Sequence, residues 1–423
     1  MEKLILKTKW VFSKRQDLIW VIFPTLVGFL IISLYYLMTG YFKISEDITV
    51  LVLYLSWALL FDGTHAFATY SRTYLDKEFF SQNKRLLLKS LLVFLIGPIF
   101  ILSFYFLNNN QNEASISFII FNRFAICYAY YHLIRQHWGF LVIYRKKNNE
   151  PDDITRKLDG YLLAFGTIYP FLHGQIDKIK IIHVSETLKI SFEQWGNVAF
   201  YLIVFGTIIF ALSFIEKLRF KEIGLHVVST IMIVSSLVIF LVKAFTLSVV
   251  LFYSSAIVAI FFALTLLYYL RLILIRDYNP MNNIPKWILL FIVIISYNII
   301  FHLDIPILIL IAAITVFHNI QYHKIINFHN VNKYKENEKD RYGIAVTLAQ
   351  KLSVFIVFAL LFNLFSYLPR IASNVLITNL LLNYVLSAFF WGVAFHHYYL
   401  DSVIWKMKGN KELNKNLKIN EKR

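Results

Sequence analysis

The 423-residue chain is 58% apolar, carries a formal net charge of +17 and contains one cysteine. The apolar fraction and the mean hydropathy of +0.60 exceed those of ordinary soluble domains, which excludes a soluble globular protein. A single cysteine, Cys127, excludes an intramolecular disulfide and a thiolate cluster that could hold a metal.

Apolar runs long enough to cross a membrane recur along the whole chain. A helix needs about 20 apolar residues to span the ~30 Å hydrocarbon layer. The first run is too long for the apolar part of a cleavable signal peptide. The sequence therefore predicts an all-α, polytopic transmembrane helix bundle of about twelve spans, in a bacterial-type inner (plasma) membrane. In chain order the predicted spans are 18–38, 48–70, 88–107, 115–138, 159–175, 197–215, 223–243, 246–273, 286–303, 305–325, 351–368 and 374–399.

Basic residues in the connecting loops set the predicted orientation. Lys and Arg are abundant in the N-terminal segment and after the even-numbered spans, whereas loops 108–114 and 303–306 contain neither. By the positive-inside rule, both termini are predicted to be cytoplasmic. The net charge thus indicates topology and contact with anionic lipid headgroups, not nucleic-acid binding. We expect one transmembrane domain, 1–405, and a basic, disordered cytoplasmic tail, 406–423.

Histidines are concentrated at one predicted depth of this bundle. Seven of the twelve fall in the last two turns of spans two, four, ten and twelve, or just beyond. Ionisable side chains at such places are costly and usually functional, and neutral imidazole is the commonest side-chain metal ligand. The pattern predicts a buried metal site where four helix ends meet. The predicted ligands are His65, His132, His137, His318, His323, His396 and His397.

Span two carries a polar stripe around its histidine. Its members are spaced by three or four residues, so they share one face of a helix; they are Asp62, His65, Thr69, Arg72 and Asp76. Asp62 is expected to ligate a metal beside His65 or to orient that imidazole. Arg72 is expected to support the site from behind the ligands, with extension into the headgroups as the alternative.

Spans four and ten each carry two histidines separated by four residues: His132 and His137, then His318 and His323. On a regular helix such a pair is ~140° and ~7.5 Å apart. Either the helix ends or bulges there, or each histidine serves a different ion of a pair ~3.5–4 Å apart. Neighbouring amides are expected to support the ligands; these are Gln136, Asn319 and Gln321.

Span twelve carries two adjacent histidines, His396 and His397. Their side chains point about 100° apart on a helix, so they serve two centres, or one binds and one supports. Asp401 is four residues after His397 and shares its face, so it is a further predicted ligand. The other histidines are expected to be interfacial or loop residues; these are His173, His183, His226, His302 and His329.

The histidine pairs resemble those of the histidine-box membrane di-iron enzymes: desaturases, hydroxylases and alkane-type monooxygenases. The resemblance is carried by His132/His137, His318/His323 and His396-His397. It implies a non-haem centre, with two iron ions, that oxidises a lipid-soluble substrate near the cytoplasmic face and takes electrons from a donor protein. Carboxylates such as Asp62 and Asp401 favour iron, while imidazole alone also suits zinc.

Two other functions fit the same pattern. A zinc-dependent membrane hydrolase or transferase would use its metal to polarise an ester or phosphoryl group, although the chain has no His-Glu-x-x-His motif. A proton- or metal-coupled secondary transporter commonly has twelve spans and cytoplasmic termini. Transporter sites usually lie near the midplane on helices broken by Gly or Pro, and this chain contains only 14 Gly and 8 Pro.

Overall fold

All regular secondary structure in the described part of the chain is helical, as the sequence predicted. Among the described residues, seven helices are long and apolar enough to cross a membrane, or eight if one bent pair counts as a span. The computed structural model describes residues 8–108, 111–150, 154–181, 247–275, 278–376, 378–407 and 409–419. Two compact units divide the chain: Met1–Thr167 with Thr265–Arg423, and Ile168–Leu264. The four helices that carry the predicted ligands all belong to the first unit.

The helices are numbered in chain order. Their bounds are α1 Lys14–Tyr41, α2 Glu46–Ser71, α3 Lys77–Leu107, α4 Gln111–Lys147, α5 Ile154–Ile181, α6 Leu247–Ile275, α7 Pro280–His302, α8 Ile307–Lys333, α9 Lys339–Tyr342, α10 Ile344–Gln350, α11 Leu352–Leu376, α12 Leu380–Ile404 and α13 Lys411–Asn416.

Seven of the predicted spans coincide with the seven apolar helices α1, α2, α3, α6, α7, α8 and α12. Predicted span 351–368 falls in the bent pair α10–α11, whose axes differ by 113°. Predicted spans 115–138 and 159–175 are helical, within α4 and α5, but are not among the seven. Spans 197–215 and 223–243 lie outside the described residues. The count of twelve and the cytoplasmic termini therefore stay predictions.

Helix α8 lies at the centre of the first unit. Its most apolar stretch is 72% buried, whereas that of α3 is only 22% buried. It packs against α1, α2, α4 and α7. Contact with α1 is especially close, because a Cβ on Gly28 would lie 2.3 Å from the carbonyl oxygen of Ala313. Glycine at this position lets the two backbones touch.

Four histidine-bearing helices form a ring. Helices α2 and α4 each pack against both α8 and α12. These helices correspond to predicted spans two, four, ten and twelve. Residues on their inner faces can therefore meet across the ring, which is the arrangement that holds metals in many helix bundles.

Helix α2 changes its winding just before His65. Residues Ala58–Asp62 are π-helical, a rare conformation that often occurs at functional sites. Asn363 of α11 lies against this turn, where its Nδ2 donates to the carbonyl oxygen of Leu59 at 2.6 Å. A Cβ on Gly63 would overlap the Asn363 side chain, at 1.3 Å from its Oδ1. Gly63 is thus required for α11 to pack here.

Buried charges join α4, α5 and α7. Asp159 accepts from Arg145 at 2.6 Å and from Lys286 at 3.1 Å, and it also accepts from the Tyr269 hydroxyl. Glu150 lies 2.7 Å from Arg145 and 2.9 Å from Lys286. Two cations therefore face two carboxylates, and the network is neutral as a whole, as buried ionic groups must be.

The tail beyond residue 405 differs from the prediction of a disordered extension. Its described part contains helix α13, which begins where the Asn410 side chain accepts from the backbone N–H of Leu413 at 2.9 Å. Leu413 and Leu417 are buried. Asn332 of α8 donates to the carbonyl oxygen of Asn416 at 2.9 Å. Two buried leucines thus attach a lysine-rich segment to the rest of the unit. The composition of the segment, which is mostly polar, did not indicate this contact.

Candidate metal centre

Four of the predicted ligands converge inside the ring of α2, α4, α8 and α12. The Nε2 atoms of His65 and His397 lie 2.8 Å apart. The ring centroid of His65 is 4.6 Å from that of His318, and the centroid of His132 is 5.1 Å from that of His397. His132 is the most accessible of the four, with a side chain that is 11% exposed.

Asp401 adds a carboxylate to this cluster. Its Oδ2 lies 3.7 Å from Nε2 of His397 and 4.0 Å from Nε2 of His132. Two triads have all their donor atoms within 4.8 Å of one another: His65 with His132 and His318, and His132 with His397 and Asp401. Ligands of one ion with bonds of ~2.0–2.1 Å lie at most ~4.2 Å apart. Small side-chain rotations would therefore close either triad on an ion.

The hydrogen bonds leave a ring nitrogen available to ligate on three of the four imidazoles, those of His65, His132 and His318. Nδ1 of His318 donates to the carbonyl oxygen of Thr315 at 2.8 Å, so its Nε2 is unprotonated and can ligate. Nε2 of His132 and Nδ1 of His65 are buried without a hydrogen-bond partner among the described residues. Buried nitrogens normally have a hydrogen-bond partner, so the unpaired Nε2 of His132, which faces other imidazoles, fits the role of a metal ligand.

Asp401 is held in place by two hydroxyl groups. Its Oδ1 accepts from Tyr322 at 2.5 Å and from Thr69 at 2.8 Å, which leaves Oδ2 toward the imidazoles. The indole N–H of Trp405 donates to the Tyr322 oxygen at 3.3 Å. Thr69 belongs to the predicted polar stripe of span two, but no role was predicted for it or for Tyr322. Each lies four residues after a clustered histidine, His318 or His65, so the shared helix face was the signal that could have found them.

His323 borders the cluster without joining either triad. Its Nε2 lies 3.0 Å from the hydroxyl oxygen of Thr64, and its ring centroid is 6.4 Å from that of His65. The described triads do not include it. It is placed to support α2 next to the candidate ligand His65.

His137 and His396 lie outside the cluster, contrary to the prediction that they are ligands. Nε2 of His137 lies 2.9 Å from the Tyr297 hydroxyl, on the side of α4 that faces α7. Nδ1 of His396 lies 2.8 Å from the Tyr70 hydroxyl, and its Nε2 lies 2.8 Å from that of Ser90. Helices α4 and α12 stay regular here, so the two histidines of each pair point in different directions, and only His132 and His397 face the cluster.

The depth of the histidines within their helices also differs from the prediction. His65 and His397 lie in the last two turns of α2 and α12. His132 and His318 do not, because α4 and α8 continue about four turns further. Polar residues prolong both helices where they find partners inside the protein, as Arg145 does with Asp159.

Two of the three predicted supporting amides donate to backbone carbonyl groups. Nε2 of Gln136 donates to the carbonyl oxygen of His318 at 2.7 Å and ties α4 to α8. Nε2 of Gln321 donates to the carbonyl oxygen of Val21 at 2.6 Å and ties α8 to α1. The amide of Asn319 is buried without a hydrogen-bond partner in the part of the chain that the structure describes.

Asp62 is half-buried and interacts electrostatically with Tyr398. Neither triad of the described residues contains it, so the structure does not place this predicted ligand with the others. The π-helical turn that ends at Asp62 shifts its side chain relative to His65, which a regular three-residue spacing does not anticipate.

Arg72 and His329 form a second buried pair. Nη2 of Arg72 lies 3.1 Å from Nε2 of His329, and the guanidinium lies 4.4 Å from the ring centroid of Trp405. His329 was expected in a loop, but it belongs to the prolonged part of α8 and is buried. His302 is exposed at the end of α7, as expected. His173 lies in α5, and His183 and His226 lie outside the described residues.

The cluster thus offers four imidazoles and one oriented carboxylate within a helical bundle. Imidazole suits iron, zinc and copper, and a carboxylate adds preference for iron. Comparison with protein-family models, curated proteins and solved structures finds no match for this chain.

Proposed function

We propose that this chain is an integral-membrane, metal-dependent oxidoreductase of the oxygenase, hydroxylase or desaturase kind, acting on a lipid-soluble substrate. The observation that carries the proposal is the convergence of His65, His132, His318 and His397 with Asp401. The mixed nitrogen and oxygen donor set favours iron, which would supply the activation of dioxygen. The protein's own residues hold the ion, orient Asp401 and surround the centre with buried aromatic side chains.

Two iron ions fit this donor set. His132 belongs to both triads, but one imidazole nitrogen binds one ion. In a dinuclear arrangement His65 and His318 would hold one ion, His397 and Asp401 the other, and His132 would complete one of them. Dinuclear sites place their ions ~3.5–4 Å apart, and the adjacent Nε2 atoms of His65 and His397 suit that spacing.

We place the enzyme in the bacterial inner membrane, with twelve spans, cytoplasmic termini and contacts between basic loops and anionic lipids. A lipid-soluble substrate would enter sideways from the bilayer, and a cytoplasmic donor protein would supply electrons. The neighbourhood of His132 supports entry at α4. Its side chain is partly exposed, and the adjacent Tyr131 is 55% exposed among the outward-facing apolar residues of that helix.

Metal analysis of the purified full chain tests this proposal. The chain is extracted in an uncharged detergent without chelators, and its metals are measured by inductively coupled plasma mass spectrometry. We expect about one to two iron ions per chain, as mononuclear and dinuclear sites require. Reconstitution with ferrous iron under nitrogen, followed by air, should give an absorption change that depends on the iron. Absence of bound metal after both purification and reconstitution would overturn the proposal.

A zinc-dependent hydrolase or transferase is the second candidate, and one observation favours it. His65, His132 and His318 form a triad of imidazoles alone. Catalytic zinc is often held by three protein ligands with a fourth position left open for water or substrate. Zinc bound in a one-to-one ratio, with no absorption change in air, would favour this candidate over the oxidoreductase.

A further inference from the structure

Arg72 is a buried cation without a carboxylate partner. Its side chain lies at the end of α2, and the residue is 7% exposed. Nη2 contacts His329, whereas Nη1 has no hydrogen-bond partner among the described residues. The ion pairs found in this part of the chain do not include Arg72. Buried arginines normally pair with a carboxylate or phosphate, so this guanidinium lacks its usual partner.

The nearest carboxylates are engaged elsewhere. Asp401 interacts with Arg72 electrostatically, but its Oδ1 accepts from Tyr322 and its Oδ2 faces the clustered imidazoles. Asp76 accepts from Lys333 at 2.9 Å and from the Tyr334 hydroxyl at 2.9 Å. Neither is therefore placed to neutralise the guanidinium directly.

The groups around Arg72 are mainly hydrogen-bond donors. Nδ1 of His329 lies 3.2 Å from Oδ1 of Asn330, an acceptor, so this nitrogen carries the ring's proton. The remaining Nε2 is then an acceptor, approached by Arg72 Nη2 at 3.1 Å and by Nδ2 of Asn416 at 3.4 Å. Two donor side chains thus share one acceptor nitrogen. A site with surplus N–H groups and a buried positive charge is complementary to an oxyanion.

We propose that Arg72 and Asn416 form an oxyanion site, which takes the carboxylate or phosphate head group of an amphiphilic ligand. The anion would accept a hydrogen bond from Nη1 of Arg72. Asn416 would give up its 3.4 Å contact with His329 and donate to the anion instead.

The position of this site relates it to the candidate metal centre. The Arg72 guanidinium stacks on Trp405 at 4.4 Å, Trp405 contacts Tyr322 at 3.3 Å, and Tyr322 donates to Asp401. The proposed head-group site thus lies two side chains from Asp401, close enough for the apolar chain of a bound ligand to reach the cluster. If the proposed function is correct, this ligand is the enzyme's substrate. The oxyanion site itself does not depend on the proposed function.

Quenching of tryptophan fluorescence tests the site, since Trp405 lies directly against Arg72. The probes are a brominated stearate and the matching brominated stearyl alcohol, added to the full chain in uncharged detergent. We expect the stearate to bind at least about tenfold more tightly than the alcohol, because a charge-assisted pair replaces a neutral contact. Trp405→Phe should remove most of the quenching and so locate the signal.

Two variants and one matched control separate the site from general damage. Arg72→Gln should abolish the preference for the carboxylate, and Asn416→Ala should reduce it several-fold. Arg341→Gln removes an exposed arginine that pairs with Glu78, and it should leave the preference unchanged. Because Arg72→Gln removes a buried side chain, its helicity is compared with wild type by circular dichroism, and Asn416→Ala carries the test if that variant unfolds.

The source of the anion is decided by competition with inorganic phosphate. Displacement of the stearate by phosphate only at large excess supports a lipid head group. A second outcome is tight phosphate binding that depends on Arg72, together with equal affinity for the stearate and the alcohol. That outcome supports the oxyanion site and shows that its ligand is a free anion. Equal binding of all probes by wild type and by the Arg72 and Asn416 variants overturns the proposal. Metal analysis of the same samples reports separately on the proposed function.

Discussion

The Nε2 atoms of His65 and His397 lie 2.8 Å apart although 332 positions separate the two residues. At this distance one proton is shared between the two imidazoles. The two residues belong to different triads of the candidate metal centre. Metal binding would displace the shared proton, because an imidazole nitrogen must be unprotonated to ligate.

Removal of either imidazole of this pair should abolish metal binding. His65→Ala and His397→Ala each delete a donor from a triad, and we expect metal affinity to fall by more than about 100-fold, beyond the usual effect of losing a supporting residue. His137→Ala and His396→Ala remove equally buried histidines outside the triads and should keep the wild-type metal content. Metal content per chain after equilibrium dialysis measures the difference. Equal losses in all four variants would show that the cluster is not the metal site.

The hydroxyl of Tyr322 should raise metal affinity through Asp401. Tyr322→Phe keeps the ring but removes the donor to Oδ1, so the carboxylate is free to turn away from His132 and His397. We expect affinity to fall about 10- to 100-fold, as for other residues that orient ligands. Tyr297→Phe removes the hydroxyl that contacts His137 and should leave affinity unchanged. Competition with a chelator of known affinity measures both, and an unchanged value for Tyr322→Phe would contradict the proposed role.

The π-helical turn of α2 should depend on glycine at position 63. Gly63→Ala places a methyl group inside the volume of Asn363, so we expect a loss of about 1–3 kcal/mol in the free energy of unfolding. Asn363→Ala in the same chain should restore part of this loss. As a control, a Cβ on Gly139 would meet no described atom within 4 Å, and Gly139→Ala should stabilise α4 by about 0.5–1 kcal/mol. Unfolding by a denaturing detergent, followed by circular dichroism, gives the values.

The buried charges between α4, α5 and α7 should contribute far more to the free energy of unfolding than an exposed ion pair does. Asp159→Asn leaves Arg145 and Lys286 with one carboxylate between them, so we expect a loss of about 3–5 kcal/mol. Glu78→Gln breaks the exposed contact with Arg341 and should cost at most about 1 kcal/mol. The same unfolding titration compares them. A small loss for Asp159→Asn would mean that water enters the network.

Much of the architecture could be predicted from the apolar runs, since helices are the only open-chain elements that satisfy their own backbone in lipid. Periodicity also predicted that adjacent histidines diverge, and His396 and His397 do so. Periodicity did not reveal which histidine of a pair faces inward. The rotation of α4 about its axis, which its neighbours set, decides whether His132 or His137 faces the cluster. Nor did periodicity reveal the pairing of Arg72 with His329, because that contact joins helices that are far apart in the chain.

The candidate ligands lie on four helices, α2, α4, α8 and α12, and 336 positions separate His65 from Asp401. The cluster can therefore form only after segments far apart in the chain have packed together. An ion bound there would stabilise the packing of all four helices at once, because a ligand that binds only the folded state stabilises that state.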